Sequence, residues 1–136
     1  MHNKARILVV DDEPSVCRNI EKMLLREGYD VHIAVNVESA LNALKKGPFD
    51  LALFDVVMPD FNGRLSKRAG IDLLEKIRKD GYDLPVIMLS ATSDSLLADK
   101  AITTYKANQF LVKGSLGGRE FTKIIKSTLD DSDSQD

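Results

Sequence analysis

Five residues with reactive or charged side chains follow four short apolar runs of the chain. The runs and the residues after them are Ile7–Val10 with Asp11 and Asp12, Leu51–Phe54 with Asp55, Val86–Leu89 with Ser90, and Phe110–Val112 with Lys113. Short continuous runs of this kind are typical of strands buried on both faces of a parallel sheet. Because ligands of open parallel sheets bind beyond the carboxyl ends of the strands, neighbouring runs would bring these side chains to one edge.

Three carboxylates at one edge predict a site for a divalent cation. Asp11, Asp12 and Asp55 would repel one another, and some would stay protonated without compensation. Mg²⁺ prefers carboxylate oxygens, and together with Lys113 it makes the set formally neutral. Such a site can stabilise the oxygens of a phosphoryl group. Each residue alone also has a structural interpretation as a cap, a turn residue or a solvated side chain; the coincidence of all four strand ends favours the functional one.

Asp55 is the candidate nucleophile of this set. It stands alone at the end of a central apolar run, so its fixed position suits a carboxylate that attacks phosphorus and becomes an acyl phosphate. The adjacent Asp11 and Asp12 suit metal binding, and Ser90 could donate a hydrogen bond to a phosphate oxygen.

Strand-like and helix-like segments alternate along the whole chain. Five apolar runs, including one at residues 31–35, each precede a segment with apolar residues at helical spacing. Five strands alternating with five helices predict an α/β fold with helices on both faces of the sheet and right-handed crossovers. Residues 1–129 are expected to form one domain, and the acidic residues 130–136 a disordered tail or linker stub.

Composition gives little support to several classes of function. The 136 residues carry 19 basic and 21 acidic side chains, so the net charge of −2 gives no argument for nucleic acid or a membrane surface. The single cysteine, Cys17, rules out an internal disulfide and is expected to be a small buried or half-buried hydrophobe. The N-terminal apolar run is too short for a signal peptide or a spanning helix, which predicts a cytoplasmic location.

The chain resembles the receiver domain of two-component response regulators from Arg6 to Leu129. The matching segments are Ile7–Pro14 (Ile-Leu-Val-Val-Asp-Asp-Glu-Pro), Asp55–Pro59 (Asp-Val-Val-Met-Pro), Pro85–Ala91 (Pro-Val-Ile-Met-Leu-Ser-Ala) and Phe110–Lys113 (Phe-Leu-Val-Lys). Four short segments in the right order and spacing make a specific signal. The resemblance implies a flavodoxin-like, doubly wound parallel sheet of five strands in the order 2-1-3-4-5.

The resemblance also implies roles for the residues at the sheet edge. Asp55 would accept a phosphoryl group from a sensor histidine kinase, a phosphotransfer protein or a small phosphodonor. Asp11, Asp12, Asp55 and the backbone carbonyl of Val57 would hold Mg²⁺, with Mn²⁺ as a substitute. Ser90 and Lys113 would contact the phosphate. The protein would then be a switch with self-catalysed phosphoryl transfer and slow autodephosphorylation, not a turnover enzyme.

The family further implies a conformational switch and a partner surface. Ser90 would move toward the phosphate and Phe110 would turn inward, although Phe110 lacks the hydroxyl of a tyrosine. A dianionic group can bias such a loop through charge-assisted hydrogen bonds. The face of the fourth helix, fifth strand and fifth helix would then change its affinity for an output domain or protein, and homodimerisation on phosphorylation is a further expectation. No contact with nucleic acid or membrane is expected of this domain.

Three departures from the family pattern stand out. Gly114 replaces the proline that usually follows the lysine, so a loop of different shape is expected there, since a cis bond before a non-proline residue costs about 3 kcal/mol. Residues 64–69 lengthen the loop after Asp55, and Lys106 stands where a glycine is common. One hypothesis is that Arg64, Lys67 and Arg68 lie near the acids and restrict access or contact a kinase; the alternative is a solvated mobile loop.

Other functions have weaker support in the sequence. A receiver-like interaction module that works without phosphorylation is one alternative, which the five site residues argue against. A Mg²⁺-dependent phosphohydrolase would need a general acid or base near Asp55, and Val57 cannot supply it. A flavin-binding domain would need a Ser/Thr/Gly-rich phosphate loop where this chain has Asp-Asp-Glu-Pro.

Overall fold

The computed structural model describes residues 4–60, 62–91, 93–114 and 117–133. In chain order the elements are β1 (Arg6–Val10), α1 (Pro14–Arg26), β2 (Asp30–Ala34), α2 (Val37–Lys46), β3 (Leu51–Asp55), β4 (Met58–Pro59), β5 (Leu65–Ser66), α3 (Ala69–Lys79), β6 (Val86–Ser90), α4 (Ser95–Thr103), β7 (Gln109–Val112) and α5 (Gly118–Asp133).

Five of the strands form one parallel sheet. Their order is β2-β1-β3-β6-β7, and every neighbouring pair is parallel. When β4 and β5 are set aside, this is the order 2-1-3-4-5, so the predicted doubly wound, flavodoxin-like α/β fold is confirmed. The register pairs Asp55 with Leu89 and Ser90 with Val112. The residues that end β3, β6 and β7 therefore lie at the same edge of the sheet.

Helices cover both faces of the sheet because its central strands are apolar on both sides. Alternate residues of a strand point to opposite faces: Leu8 and Val10 of β1 belong to one core cluster, and Ile7 and Val9 to the other. The first cluster includes buried residues of α2, α3 and α4, and the second those of α1 and α5. β1, β3 and β6 are buried along almost their entire length.

The lengthened segment after Asp55 forms a short hairpin. Met58 and Pro59 pair antiparallel with Ser66 and Leu65. The Asp60 carboxylate accepts hydrogen bonds from the backbone N–H groups of Asn62 and Arg64 at 2.9 and 3.0 Å, which is how aspartate stabilises a turn. This part of the chain was expected to be a long loop, so the pairing of β4 with β5 corrects that interpretation.

The ends of two helices differ from the sequence prediction. α3 begins at Ala69, one residue earlier than expected, and Ala69 is buried and belongs to the helix. α5 continues to Asp133. Residues 130–133 are therefore helical, which corrects the prediction that they are disordered. No glycine or proline interrupts this stretch, and adding residues to an existing helix is much easier than starting one. The remaining tail residues, 134–136, lie outside the described residues, and none of the described helices is long and apolar enough to cross a bilayer.

Candidate functional site

The structure brings the three aspartates together at the carboxyl edge of the sheet. Asp11 and Asp12 follow β1, Asp55 ends β3, and one carboxylate oxygen of each lies within 4.8 Å of the others. Asp11 and Asp55 are buried, and Asp12 is half-buried. The Asp11 carboxylate also accepts the backbone N–H of Glu13 at 2.9 Å, which fixes its orientation.

Lys113 places its ammonium group between two of these carboxylates. Its Nζ lies 2.9 Å from Oδ2 of Asp11 and 3.2 Å from Oδ1 of Asp55. Burial disfavours the ammonium ion, but the hydrogen bond to Asp11 and the charges of Asp55 and Asp11 outweigh it and raise the pKa of Lys113. The side chain is therefore a cation at neutral pH.

Asp55 lies in an environment that resists its ionisation. Burial and the neighbouring Asp11 charge raise the pKa of Asp55 to about 6, against the opposing effects of Lys113 and of a hydrogen bond from the backbone of Val57. Three carboxylates and one ammonium leave two negative charges uncompensated. A hard divalent cation such as Mg²⁺ suits these oxygen donors and supplies the missing charge, so the residues present fit this metal.

Ser90 ends the strand next to that of Asp55, and Val57 follows Asp55 by two residues. Ser90 ends β6 and is buried, and its carbonyl accepts the backbone N–H of Lys113 at 2.6 Å. Val57 is half-buried and follows Val56, whose backbone N–H bonds to the carbonyl of Leu89 at 2.9 Å. Backbone hydrogen bonds thus connect the strands of Asp55 and Ser90 as far as Val56, the residue after Asp55.

Phe110 lies on β7, and the loops before and after this strand contain two of the departures from the family pattern. Phe110 is half-buried and packs against the core on the α2, α3 and α4 side. Lys106 has a φ of 62°, the left-handed conformation that glycine adopts most easily. Gly114 has a φ of 78°, and the described residues contain no cis peptide bond. Proline cannot adopt such a φ, so the loop after Lys113 has a different shape from one built on proline.

No ion pair among the described residues joins the basic residues of segment 64–68 to the three aspartates of the site. Arg68 forms an ion pair with Asp72 of α3 at 3.0 Å, while Arg64 and Lys67 are exposed. Leu65 is exposed as well, with 72% of its surface accessible. Arg64 and Lys67 thus have no ion-pair partner among the described residues, and the exposed Leu65 lies between them in the chain.

Sequence reasoning missed two residues that shape the site. Cys17 is buried as predicted, and its thiol also donates to the backbone carbonyl of Asp11 at 3.2 Å. Burial and the Asp11 charge raise the pKa of the Cys17 thiol, which keeps it protonated. Gly70 contacts the backbone of Asp55 directly. In the sequence, Gly70 opens a predicted helix and corresponds to the glycine that the family pattern has after Met-Pro, but neither feature predicts this contact.

Comparison with known proteins identifies the family. The family described as "Response regulator receiver domain" matches residues 7–126. The transcriptional regulatory protein DltR of Streptococcus agalactiae is 32% identical over 133 residues, which cover 91% of this chain and 56% of that protein. A CheY-like receiver domain protein from Methanospirillum hungatei superposes with a TM-score of 0.84 at 27% identity, covering 98% of this chain and all of that one. The beryllofluoride-activated NtrC4 receiver domain dimer gives a TM-score of 0.80 at 28% identity, with 93% of this chain and 97% of that chain covered.

The chain belongs to the response regulator receiver domain family. Members of this family are phosphoacceptor switches of two-component signal transduction and not classical enzymes. The chain spans a little over half the length of the curated relative DltR.

Proposed function

We propose that Asp55 is the phosphoacceptor of this receiver domain and that Asp11, Asp12 and Asp55 hold Mg²⁺. The ion pairs that Lys113 forms with both Asp11 and Asp55 carry this proposal. An ammonium held at this place lies where the oxygens of a phosphoryl group on Asp55 would need a positive charge. The backbone carbonyl of Val57 is proposed as a further metal ligand, and Mn²⁺ as a substitute for Mg²⁺.

The reaction is a nucleophilic displacement at phosphorus. A carboxylate oxygen of Asp55 forms the new bond to phosphorus while the bond from phosphorus to the donor breaks, and the electron pair leaves with the donor group. Lys113 and the Ser90 hydroxyl stabilise the phosphoryl oxygens. When held by Asp11, Asp12 and Asp55, Mg²⁺ would supply positive charge to the phosphoryl oxygens. Slow attack of water on the acyl phosphate would return free Asp55 and inorganic phosphate.

The partners follow from the family and from this chemistry. A sensor histidine kinase or phosphotransfer protein is proposed as the phosphodonor, and the proposed location is the cytoplasm. The proposed output surface is the face of α4, β7 and α5, read by an output domain or protein after Ser90 and Phe110 change position. Homodimerisation on phosphorylation is proposed by analogy with the NtrC4 receiver domain dimer.

The test is intact mass spectrometry after incubation with acetyl phosphate and Mg²⁺. We expect the wild type to gain one phosphoryl group, and the Asp55→Asn variant and a Mg²⁺-free sample to gain none. Asp99→Asn is the matched control, because Asp99 is an exposed aspartate of α4, and it should be phosphorylated normally.

A second measurement removes dependence on the choice of donor. Beryllofluoride is expected to bind the wild type in the presence of Mg²⁺ and to produce a bound ¹⁹F NMR signal that Asp55→Asn lacks. No phosphorylation together with no beryllofluoride binding would contradict the proposal and favour the phosphorylation-independent interaction module.

A further inference from the structure

Gly70 lies directly against the backbone of the proposed phosphoacceptor. A Cβ atom at Gly70 would be 2.0 Å from the carbonyl oxygen of Asp55, 2.8 Å from its carbonyl carbon and 3.0 Å from Cα of Val56. A carbon and an oxygen in ordinary contact are about 3.3 Å apart or more. Even the smallest side chain would therefore have to displace α3 or the end of β3 by about 1 Å.

Hydrogen bonds and burial oppose a displacement of either segment. The backbone N–H of Gly70 bonds to the carbonyl of Val56 at 3.0 Å, and the backbone N–H of Val56 bonds to the carbonyl of Leu89 at 2.9 Å. Residue 56 is thus held between α3 on one side and β6 on the other. The first turn of α3 is fixed as well, since Ala69 and Ile71 are almost completely buried, and a close-packed interior does not yield by small amounts.

The reason for a glycine at position 70 differs from the reason at the four glycines with a left-handed backbone conformation. Gly28, Gly63, Gly81 and Gly114 have positive φ and no atom within 4 Å of a Cβ position. Gly70 lies inside a helix, where alanine would normally be the more favourable residue. The need for glycine at position 70 comes from the approach to Asp55 and Val56, not from the conformation of its own backbone.

We propose that Gly70 is a positioning residue for phosphoryl transfer. Its missing side chain lets the start of α3 rest on the backbone that joins Asp55 to Val57, and so fixes the acceptor carboxylate and the proposed metal ligand beside it. This inference rests on the proposed function of Asp55. A displacement of about 1 Å at a reacting group can reduce a rate by about 100-fold.

The test compares Gly70→Ala with Gly81→Ala. Both variants add one methyl group close to α3, but Gly81 lies just beyond the far end of the helix, in open space and with a φ of 93°. Gly81→Ala therefore strains the backbone without touching the site. For each variant we would measure the free energy of unfolding, the Mg²⁺ dissociation constant and the rate of phosphorylation by acetyl phosphate.

We expect Gly70→Ala to be phosphorylated about 100-fold more slowly and to bind Mg²⁺ more weakly than the wild type. Gly81→Ala should lose stability while its phosphorylation rate and Mg²⁺ affinity stay close to those of the wild type. If Gly70→Ala also matched the wild type in rate and affinity, the positioning role would be overturned. A wild type that accepts no phosphoryl group at all would instead overturn the proposed function.

An exchange measurement on the wild type covers the case in which Gly70→Ala does not fold. Hydrogen exchange at the Gly70 amide reports on its bond to Val56, and the Asp80 amide, bonded to the carbonyl of Lys76 at 3.0 Å, is the reference at the other end of α3. Binding of Mg²⁺ and beryllofluoride should slow exchange at Gly70 severalfold and leave Asp80 unchanged. Equal behaviour of the two amides would contradict the coupling between Gly70 and the site.

Discussion

The ammonium of Lys113 lies 3.2 Å from Oδ1 of Asp55, although Asp55 ends β3 and Lys113 follows β7, and these strands are not neighbours in the sheet. β6 separates β3 from β7, and the long lysine side chain reaches across its end. The same ammonium lies 2.9 Å from Asp11. Lys113 therefore occupies the position between the carboxylates that a phosphoryl group and a metal ion would also approach.

Replacing Lys113 by methionine is expected to separate metal binding from phosphoryl transfer. Loss of the ammonium raises the pKa of Asp55 further, but it also removes a cation that repels Mg²⁺, so Mg²⁺ should bind Lys113→Met at least as tightly as the wild type at pH 8. Phosphorylation should slow by at least about tenfold, since the variant lacks a charge aimed at the phosphoryl oxygens. Isothermal titration with Mg²⁺ and timed mass spectrometry with acetyl phosphate measure the two effects.

Lys79→Met is the control for this comparison. Lys79 is an exposed residue of α3 that pairs with Glu75 at 3.3 Å, and an exposed pair contributes little. Both measurements should match the wild type. If Lys113→Met were phosphorylated at the wild-type rate, the role assigned to Lys113 would be wrong.

The raised pKa of Asp55 predicts that Mg²⁺ affinity depends on pH. The Asp55 carboxyl, with a pKa of about 6, must lose its proton before it can bind the metal. Above pH 7 it is already ionised and the dissociation constant should be nearly constant, whereas below pH 6 each unit of pH should weaken binding by up to about tenfold. Titrations at pH 5, 6, 7 and 8 provide the measurement.

Asp55→Asn tests the assignment of this pH dependence. The amide does not titrate, so the variant should bind Mg²⁺ more weakly but with a flatter profile between pH 5 and pH 7. A wild-type profile that is flat across this range would show that Asp55 ionises at a lower pH. An unchanged slope in Asp55→Asn would assign the proton to another group.

The sequence was sufficient to predict which residues meet at the site. Asp11 and Lys113 follow β1 and β7, Asp55 and Ser90 end β3 and β6, and the carboxyl ends of parallel strands lie at one edge. Their proximity therefore follows from the strand pattern alone, without knowledge of any individual contact. The chemical roles of these residues remain predictions that the experiments above would test.

Other features depend on contacts that no local pattern encodes. The approach of Gly70 to Asp55 depends on where α3 meets the end of β3, and the β4–β5 hairpin depends on a pairing only two residues long on each strand. The acidic composition of residues 130–133 predicts disorder, but α5 extends through them. Composition describes an average tendency, whereas the helix simply continues past Leu129.

Replacing Arg78, a partly exposed residue of α3, is expected to reduce the stability of the fold strongly. Its guanidinium donates to four backbone carbonyls at 2.8 to 3.1 Å; these belong to Tyr82, Leu84, Tyr105 and Lys106. Burial lowers the pKa of Arg78, but the group stays charged. Arg78→Met would leave these carbonyls without their donor, and we expect a loss of about 3 kcal/mol in the free energy of unfolding.

Urea unfolding of Arg78→Met beside Lys76→Met measures this effect. Lys76 lies on the same helix and pairs with Asp80 at 3.1 Å, with both side chains largely exposed, so its replacement should change stability by less than about 0.5 kcal/mol. Similar losses in the two variants would mean that water replaces Arg78 at the carbonyls without cost.

The exposed cations of the hairpin predict an effect that depends on the phosphodonor. Arg64 and Lys67 have no ion-pair partner among the described residues, and they lie on the segment that follows Asp55. Replacing both by serine should slow phosphotransfer from a histidine kinase severalfold, because steering between charged partners acts on association. The rate with acetyl phosphate should not change. Substitution is preferable to deleting residues 64–69, since Ala69 is buried in α3.

The control variant also removes two positive charges, but at the opposite edge of the sheet. Lys45 and Lys46 are exposed at the end of α2, shortly before β3 begins, and replacing both by serine should leave both rates unchanged. If the hairpin variant reacted faster with acetyl phosphate, the cations would restrict access to Asp55 instead of contacting the kinase. If neither rate changed, Arg64 and Lys67 would be solvated residues without a part in phosphoryl transfer.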